Sequence, residues 1–268
     1  MLNVMEIMKT ILLGLIQGVT EFLPVSSSGH LILFKHILDM DQVPKLFDIL
    51  LHVATLLVVI TVFRKEIMKI LVSWLHSIQR CIDDQDRYYL RLTLVIILGS
   101  ACTAVLGLLL KDIEIFQSIR FVSLSFLVTG VFLISTKYVK TPVNHDLKIS
   151  HAFWVGIAQG IGTLPGISRS GITITAALWG GMDRKAAGEL SFLMSIPAIV
   201  GAFFLERGES SALATEMSLS EIGIGCLAAV VSGYISLRLL LRLIQSGKLY
   251  YFSLYLIPLG IVGLVFLS

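Results

Sequence analysis

Charge is what this chain has least of. Only 15% of its residues are Asp, Glu, Lys or Arg, against roughly a quarter in a soluble domain. With a hydrophobic share of 56% and a mean hydropathy of +0.88, that shortage excludes a soluble enzyme of ordinary composition. Cysteine is also scarce. Cys81, Cys102 and Cys226 stand far apart with no C-x-x-C pair, which excludes a disulfide framework and a cysteine zinc site. The net charge of +3 is small and spread over loops, so no nucleic-acid face is expected. A cleavable signal pattern is lacking too: the run 11–19 is broken by Gly14, Gln17 and Gly18, and no A-x-A-like site follows. What remains is an all-α integral membrane protein with a single membrane domain over 1–268.

A spanning helix needs roughly 20 apolar residues. Hydropathy places six full spans near 47–63, 88–110, 119–136, 188–205, 222–243 and 250–267. Two further apolar regions are too broken to span cleanly. Region 5–38 is interrupted by "LPVSSSG" and region 151–181 by "LPGISRSG". Each reads as a re-entrant helical hairpin, because broken backbone at membrane depth is tolerated only where it is buried in protein or lines a wet cavity.

Arg64, Lys65, Lys69, Arg80 and Arg87 mark one loop. Lys137, Lys140 and Lys148 mark a second, Arg184 and Lys185 a third, and Arg238, Arg242 and Lys248 a fourth. The loops near 39–46, 111–118 and 206–221 are acidic or balanced. The excess of Lys and Arg in cytoplasmic loops then directs both termini outward and makes the two hairpins enter from opposite sides. Segment 64–80, with Trp74 and Leu75 among basic residues, is expected to hold an amphipathic helix on the cytoplasmic surface.

The two broken regions resemble one another. At an offset of 142, Gly14, Gln17, Gly18, Ser26, Ser28 and Gly29 meet Gly156, Gln159, Gly160, Ser168, Ser170 and Gly171. Pro24 and Pro165 are one position out of step. Each half, approximately 1–140 and 141–268, then supplies one re-entrant hairpin plus three transmembrane helices. Three is odd, so the second copy is inverted in the membrane, an architecture that puts a site at the repeat interface.

Each tip is followed by a helix start, and helix N-termini offer unpaired N–H groups and a positive dipole end. Ser26, Ser27 and Ser28 at one tip, and Ser168 and Ser170 at the other, can cap these helices or bind anion oxygens. Arg169 lies inside the second tip, where its planar fork suits phosphate. Glu21, on the helix entering the first tip, either neutralises Arg169 or shares a Mg²⁺ or Ca²⁺ with phosphate oxygens. His30 is a candidate general base, general acid or nucleophile, with hydrogen-bonded packing as its alternative. Ser27 can attack phosphorus if His30 takes its proton. Asp48 and His52, four apart on one helix face, are secondary candidates for orienting a ring or assisting a metal. A phosphate-handling site enclosed in a bilayer points to a lipid diphosphate.

At these residues the sequence resembles the undecaprenyl-diphosphate phosphatase family of the bacitracin-resistance type. That family's first motif, Glu-or-Gln-x-x-x-Glu, reads Gln17 to Glu21 here and continues into "FLPVSSSGH". Its second, P-G-x-S-R-S-x-x-T, reads Pro165 to Thr173 and includes Gly166. The similarity runs through "FDILLH" and over essentially the whole chain. The resemblance implies hydrolysis of undecaprenyl diphosphate to the monophosphate and inorganic phosphate at the outer face of the bacterial plasma membrane. It implies dependence on Mg²⁺ or Ca²⁺ and sensitivity to bacitracin. Carried onto this chain, Glu21 is the essential acidic residue and metal ligand, and His30 and Ser27 are the catalytic candidates. Arg169, Ser168, Ser170 and Thr173 form the diphosphate clamp. Gln17 stands where many members have Glu. An amide cannot act as a base, so the metal and base burden falls on Glu21, with Gln17 as a polar contact. The implied partners are a polyprenyl diphosphate lipid and the bilayer, with a homo-oligomer left open. The competing class is a lipid-phosphate transporter or flippase, which suits an inverted repeat but needs no acid–base group.

Overall fold

Apolar runs bounded by serine caps build this fold. The computed structural model describes residues 4–38, 40, 43–110, 116, 118–140, 147–206 and 217–266, and all regular structure among them is helical. In chain order the α-helices are α1 (Val4–Phe22), α2 (Ser27–Ile37), α3 (Lys45–Val62), α4 (Arg64–Ile78), α5 (Asp84–Leu110) and α6 (Ile119–Ser135). They continue as α7 (Ser150–Ile161), α8 (Arg169–Trp179), α9 (Arg184–Glu206), α10 (Leu219–Gln245) and α11 (Ser253–Phe266). Ser26, Ser118 and Ser168 cap α2, α6 and α8, and Ser218 with Glu221 forms a capping box on α10.

Among the described residues, five helices are long and apolar enough to cross a membrane: α5, α6, α9, α10 and the run Leu249–Phe266. The sixth expected span, Leu46–Val62, meets α4 at a bend of 72°. The protein is a multi-pass membrane protein. The helix expected over 64–80 is α4, which exposes Met68, Leu71, Trp74, Leu75 and Ile78. Its inner side is tied to the start of α5, where His76 Nδ1 lies 2.9 Å from Asp86 Oδ2.

α1 is longer than the short hairpin arm expected from the sequence. It has 19 residues against 12 in α7, about 28 Å at 1.5 Å per residue. It gains that length by lying along α10. A Cβ on Gly225 would sit 2.8 Å from Thr10, and one on Gly233 would sit 2.9 Å from Phe22, about three turns further along α1. α7 lies along α5 in the same manner. A Cβ on Gly156 would sit 2.6 Å from the Gly99 carbonyl, and one on Gly160 would sit 2.6 Å from Leu106. In α1 a Cβ on Gly14 would strike the Gly225 carbonyl and one on Gly18 would strike Ser232, so these glycines and their matches Gly156 and Gly160 do the same work, close helix–helix approach. α3 packs on α9, α6 on α11, α10 on α3 and α5 on α9. Phe22, Phe126, Leu190, Met194, Leu237 and Leu240 are among the core residues these helices enclose.

The basic segments gather at one end. Arg184 packs against Gly247, Lys137 lies over the Tyr250 ring at 5.7 Å, and Arg91 donates to the Leu147 carbonyl at 3.4 Å. The acidic residues Glu209 and Glu216, and most of the loops read at 39–46, 111–118 and 206–221, lie outside the described residues.

Candidate functional site at the two tips

α1 ends at Phe22 and the chain turns through Leu23–Val25 into Ser26. Ser26 has φ 70°, a left-handed conformation that a non-glycine residue adopts only at a cost. Its hydroxyl accepts from Gly29 N at 3.3 Å. The second tip turns at Gly166, φ +84°, where a Cβ would also strike Val122. There Ser168 accepts from Gly171 N at 3.1 Å. Both tips thus use one left-handed residue and one serine cap. Thr129, on α6, braces the second tip by accepting from Ser168 N at 3.1 Å and donating to the Gly166 carbonyl at 3.4 Å. The tips join where Ser170 Oγ donates to the Phe22 carbonyl at 3.1 Å.

One carboxylate sits at this junction. The Glu21 side chain is 4% exposed. Its Oε2 accepts from Ser27 Oγ at 2.6 Å and from Gln17 Nε2 at 3.1 Å, and lies 2.9 Å from His52 Nδ1. Its Oε1 accepts from the Arg169 guanidinium. The Arg169 side chain stays 22% exposed, on the wall of a cavity. That cavity, about 210 Å³, is lined by Glu21, Ser26, Ser27, Ser28, His52, Ser168 and Arg169, with Ile49, Ala198 and Ile199 as an apolar flank. A buried anion held by an arginine and serine hydroxyls, opening on apolar wall, is suited to binding a phosphate whose remainder is hydrophobic.

Other residues singled out in the sequence stand behind this surface. Gln17 touches Glu21 from within α1, and its Oε1 is buried without a partner among the described residues. Thr173 contacts Ser191 Oγ at 2.6 Å and donates to the Arg169 carbonyl at 2.7 Å, inside the second tip's scaffold. His30 does not face the cavity. Its Nδ1 lies 2.8 Å from the Ser26 carbonyl and its Nε2 lies 2.7 Å from the Tyr255 hydroxyl. The ring stacks on Tyr255 and tilts against Phe126. Asp48 accepts from Lys35 Nζ at 2.7 Å, so α3 meets α2 through this pair.

Gln159, Thr163 and Ala202 also line the cavity and were not singled out in the sequence as site residues. For Gln159 the signal was present, since it is the repeat partner of Gln17. Among the described residues, no group of three or more His, Cys, Asp or Glu is close enough to cage a metal.

A family model described as Bacitracin resistance protein BacA matches residues 10–262. The chain belongs to the BacA family. It is 46% identical over 258 residues, 96% of either chain, to an undecaprenyl-diphosphatase of Treponema denticola. An undecaprenyl-diphosphatase of Desulfosudis oleivorans is 43% identical over 270 residues, covering 97% of this chain and 98% of the relative. One of Borreliella burgdorferi is 38% identical over 259 residues, covering 96% and 97%. The BacA match takes in both tips and every residue of the cavity wall named above.

Proposed function

We propose that this protein hydrolyses the terminal phosphoanhydride of undecaprenyl diphosphate. The products are undecaprenyl phosphate and inorganic phosphate, so the lipid carrier of peptidoglycan and other wall polymers is recycled and bacitracin, which sequesters the diphosphate, is opposed. The activity for which the relatives are named supports this reading. The observation that carries it is the 2.6 Å hydrogen bond from Ser27 to Glu21 beside Arg169. A serine hydroxyl on a buried carboxylate is a nucleophile with its base in place.

In this proposal the lipid tail stays against the apolar flank and the diphosphate enters between the tips. Arg169 turns part of its donor fork to the phosphate oxygens while keeping Glu21, which binds the charge that grows in the transition state. Ser27 Oγ attacks the terminal phosphorus, Glu21 takes its proton, and the bond to the bridging oxygen breaks, releasing the lipid monophosphate. Water then attacks the seryl phosphate, and the P–Oγ bond breaks to return the serine. His30 serves as a positioning residue that fixes the Ser26 carbonyl, and with it the first tip. Ser170, Thr173 and Gly166 shape the second tip.

A Mg²⁺ or Ca²⁺ fits here as an ion shared with the substrate. The cavity offers one carboxylate, Glu21, and on the same wall Gln159, whose Oε1 has no partner among the described residues, and Mg²⁺ commonly takes one or two carboxylates plus substrate phosphates. Bound there, it would neutralise phosphate charge and polarise the terminal group.

The finer architecture belongs to the same proposal. Two inverted repeats, each with one re-entrant hairpin and three spans, are supported by the pairing of α1 with α10 and of α7 with α5, each first helix packing on the second of the other half's three spans. The basic segments sharing one end support a bacterial plasma-membrane topology with both termini outward and the site toward the outer face. The same pairing favours a second reading, lipid-phosphate transport. Phosphate release from purified protein tests the two: wild type releases phosphate and Glu21→Gln does not, whereas a transporter binds the lipid and releases none.

A further inference from the structure

The motif that carries the base has an amide, Gln17, at its first position. The cavity therefore has a single carboxylate, and what orients that carboxylate decides whether it faces the serine. Arg169 holds Oε1. Oε2 is the oxygen that must receive the Ser27 proton, and Ser27 cannot be its own guide. Two groups flank Oε2 besides Ser27: Gln17 Nε2 at 3.1 Å and His52 Nδ1 at 2.9 Å. Gln17 Nε2 and His52 Nδ1 lie 2.8 Å from one another. α3 brings His52 to this point from 31 residues further along the chain. The ring itself lines the cavity, and its side chain is 27% exposed. Asp48, one turn earlier, is occupied by Lys35, so the Glu21 carboxylate is the acidic group that His52 serves.

We infer that His52 is a positioning residue for the phosphatase reaction, and that its Nδ1–H holds Glu21 Oε2 in the rotamer that faces Ser27. A carboxylate only accepts, so the proton in this contact belongs to Nδ1, and Gln17 Nε2, 2.8 Å from the ring nitrogen, is then a second donor to Oε2 rather than a partner of the ring. With Arg169 on one oxygen and His52 on the other, the carboxylate is pinned at both ends and cannot swing to give Arg169 a two-oxygen contact that would leave Ser27 without its base. Misplacing a reacting group by about 1 Å can cost about 100-fold in rate. The effect belongs in kcat, because His52 fixes Glu21 and leaves the Arg169 clamp untouched.

This inference rests on the hydrolase reading, and two near-isosteric variants separate them. In Asn the amide nitrogen is attached at Cγ, where the imidazole has Nδ1; in Gln it lies one atom further out, where the imidazole has Nε2. Purified wild type, His52→Asn and His52→Gln are compared for phosphate release from undecaprenyl diphosphate, and for thermal unfolding in the same detergent. His52→Asn is expected to keep kcat within about 5-fold of wild type, and His52→Gln to lose about 100-fold with KM changed less than about 2-fold. The two variants are expected to unfold within a few degrees of each other. Equal kcat values for the two, whether both high or both lost, overturn the inference. Loss in Gln that tracks a lower unfolding temperature or a raised KM overturns it as well. A wild type that binds the lipid and releases no phosphate sinks the hydrolase reading itself, a result distinct from any of these.

Discussion

Ser27 and Arg169 stand 142 positions apart and bind opposite oxygens of one carboxylate, Ser27 on Glu21 Oε2 at 2.6 Å and Arg169 on Oε1. That separation is the repeat offset, so equivalent points of the two tips converge on a single acidic group. The convergence places a hydroxyl, a carboxylate and a guanidinium within one cavity wall.

Arg169→Lys keeps the charge and loses the fork. A single ammonium cannot serve the Glu21 carboxylate and a phosphate together. The variant is expected to fold and to lose about 100-fold in kcat/KM, a loss of about 2.7 kcal/mol in transition-state binding. Steady-state phosphate release measures it. A variant within about 3-fold of wild type contradicts the clamp role.

Removing divalent cations with a chelator is expected to abolish turnover, and adding Mg²⁺ or Ca²⁺ to restore it. In the proposal Glu21 holds the ion, and Gln17 Nε2 stands 3.1 Å from its Oε2. Gln17→Glu is therefore expected to lower the metal concentration needed for half-maximal rate, because a second charged ligand strengthens a hard-cation site. Metal titrations of the two proteins compare them.

His30 has both ring nitrogens occupied, by the Ser26 carbonyl and Tyr255. Tyr255→Phe removes one hydroxyl and leaves the stacked ring. It is expected to lower kcat by less than about 10-fold, with about 1 kcal/mol lost in stability. A loss of 1,000-fold or more in Tyr255→Phe would instead make His30 Nε2 a participant in the chemistry.

The glycines predict stability. Gly156→Ala drives a Cβ to 2.6 Å from the Gly99 carbonyl, and is expected to cost about 1–3 kcal/mol through overpacking of α7 on α5. Gly201, in the interior of α9, has nothing within 4 Å of its would-be Cβ. Gly201→Ala is expected to be neutral or to stabilise by up to about 1 kcal/mol. Thermal unfolding in detergent ranks the two.

Much of this was legible in the sequence because a membrane restricts what a chain can do. The six apolar runs all became helices, and the polar tips at 23–29 and 164–171 contribute Ser26, Ser27, Ser28, Ser168 and Arg169 to the cavity wall. Glu21, Ser27 and Arg169 could be picked out because ionisable and hydroxyl groups are costly in such surroundings. The direction of His30 was not legible. It lies one residue past the serines, but the packing of α2 against Phe126 and Tyr255 turns its ring away from the cavity, and that is set by residues far along the chain. His52 was paired with Asp48 by its four-residue spacing, yet Asp48 meets Lys35 and His52 meets Glu21, because inter-helix contacts outrank same-face neighbours here. The length of α1 depended on α10, a partner whose small-residue face is visible only once the two are seen together.

The most direct test of the account is rapid-quench analysis of the purified protein mixed with undecaprenyl diphosphate carrying a labelled terminal phosphate. The account predicts transient label on a peptide containing Ser27 and no label or turnover in Ser27→Ala. A Ser27→Ala protein that releases phosphate at the wild-type rate would contradict it, and would place the attacking oxygen elsewhere.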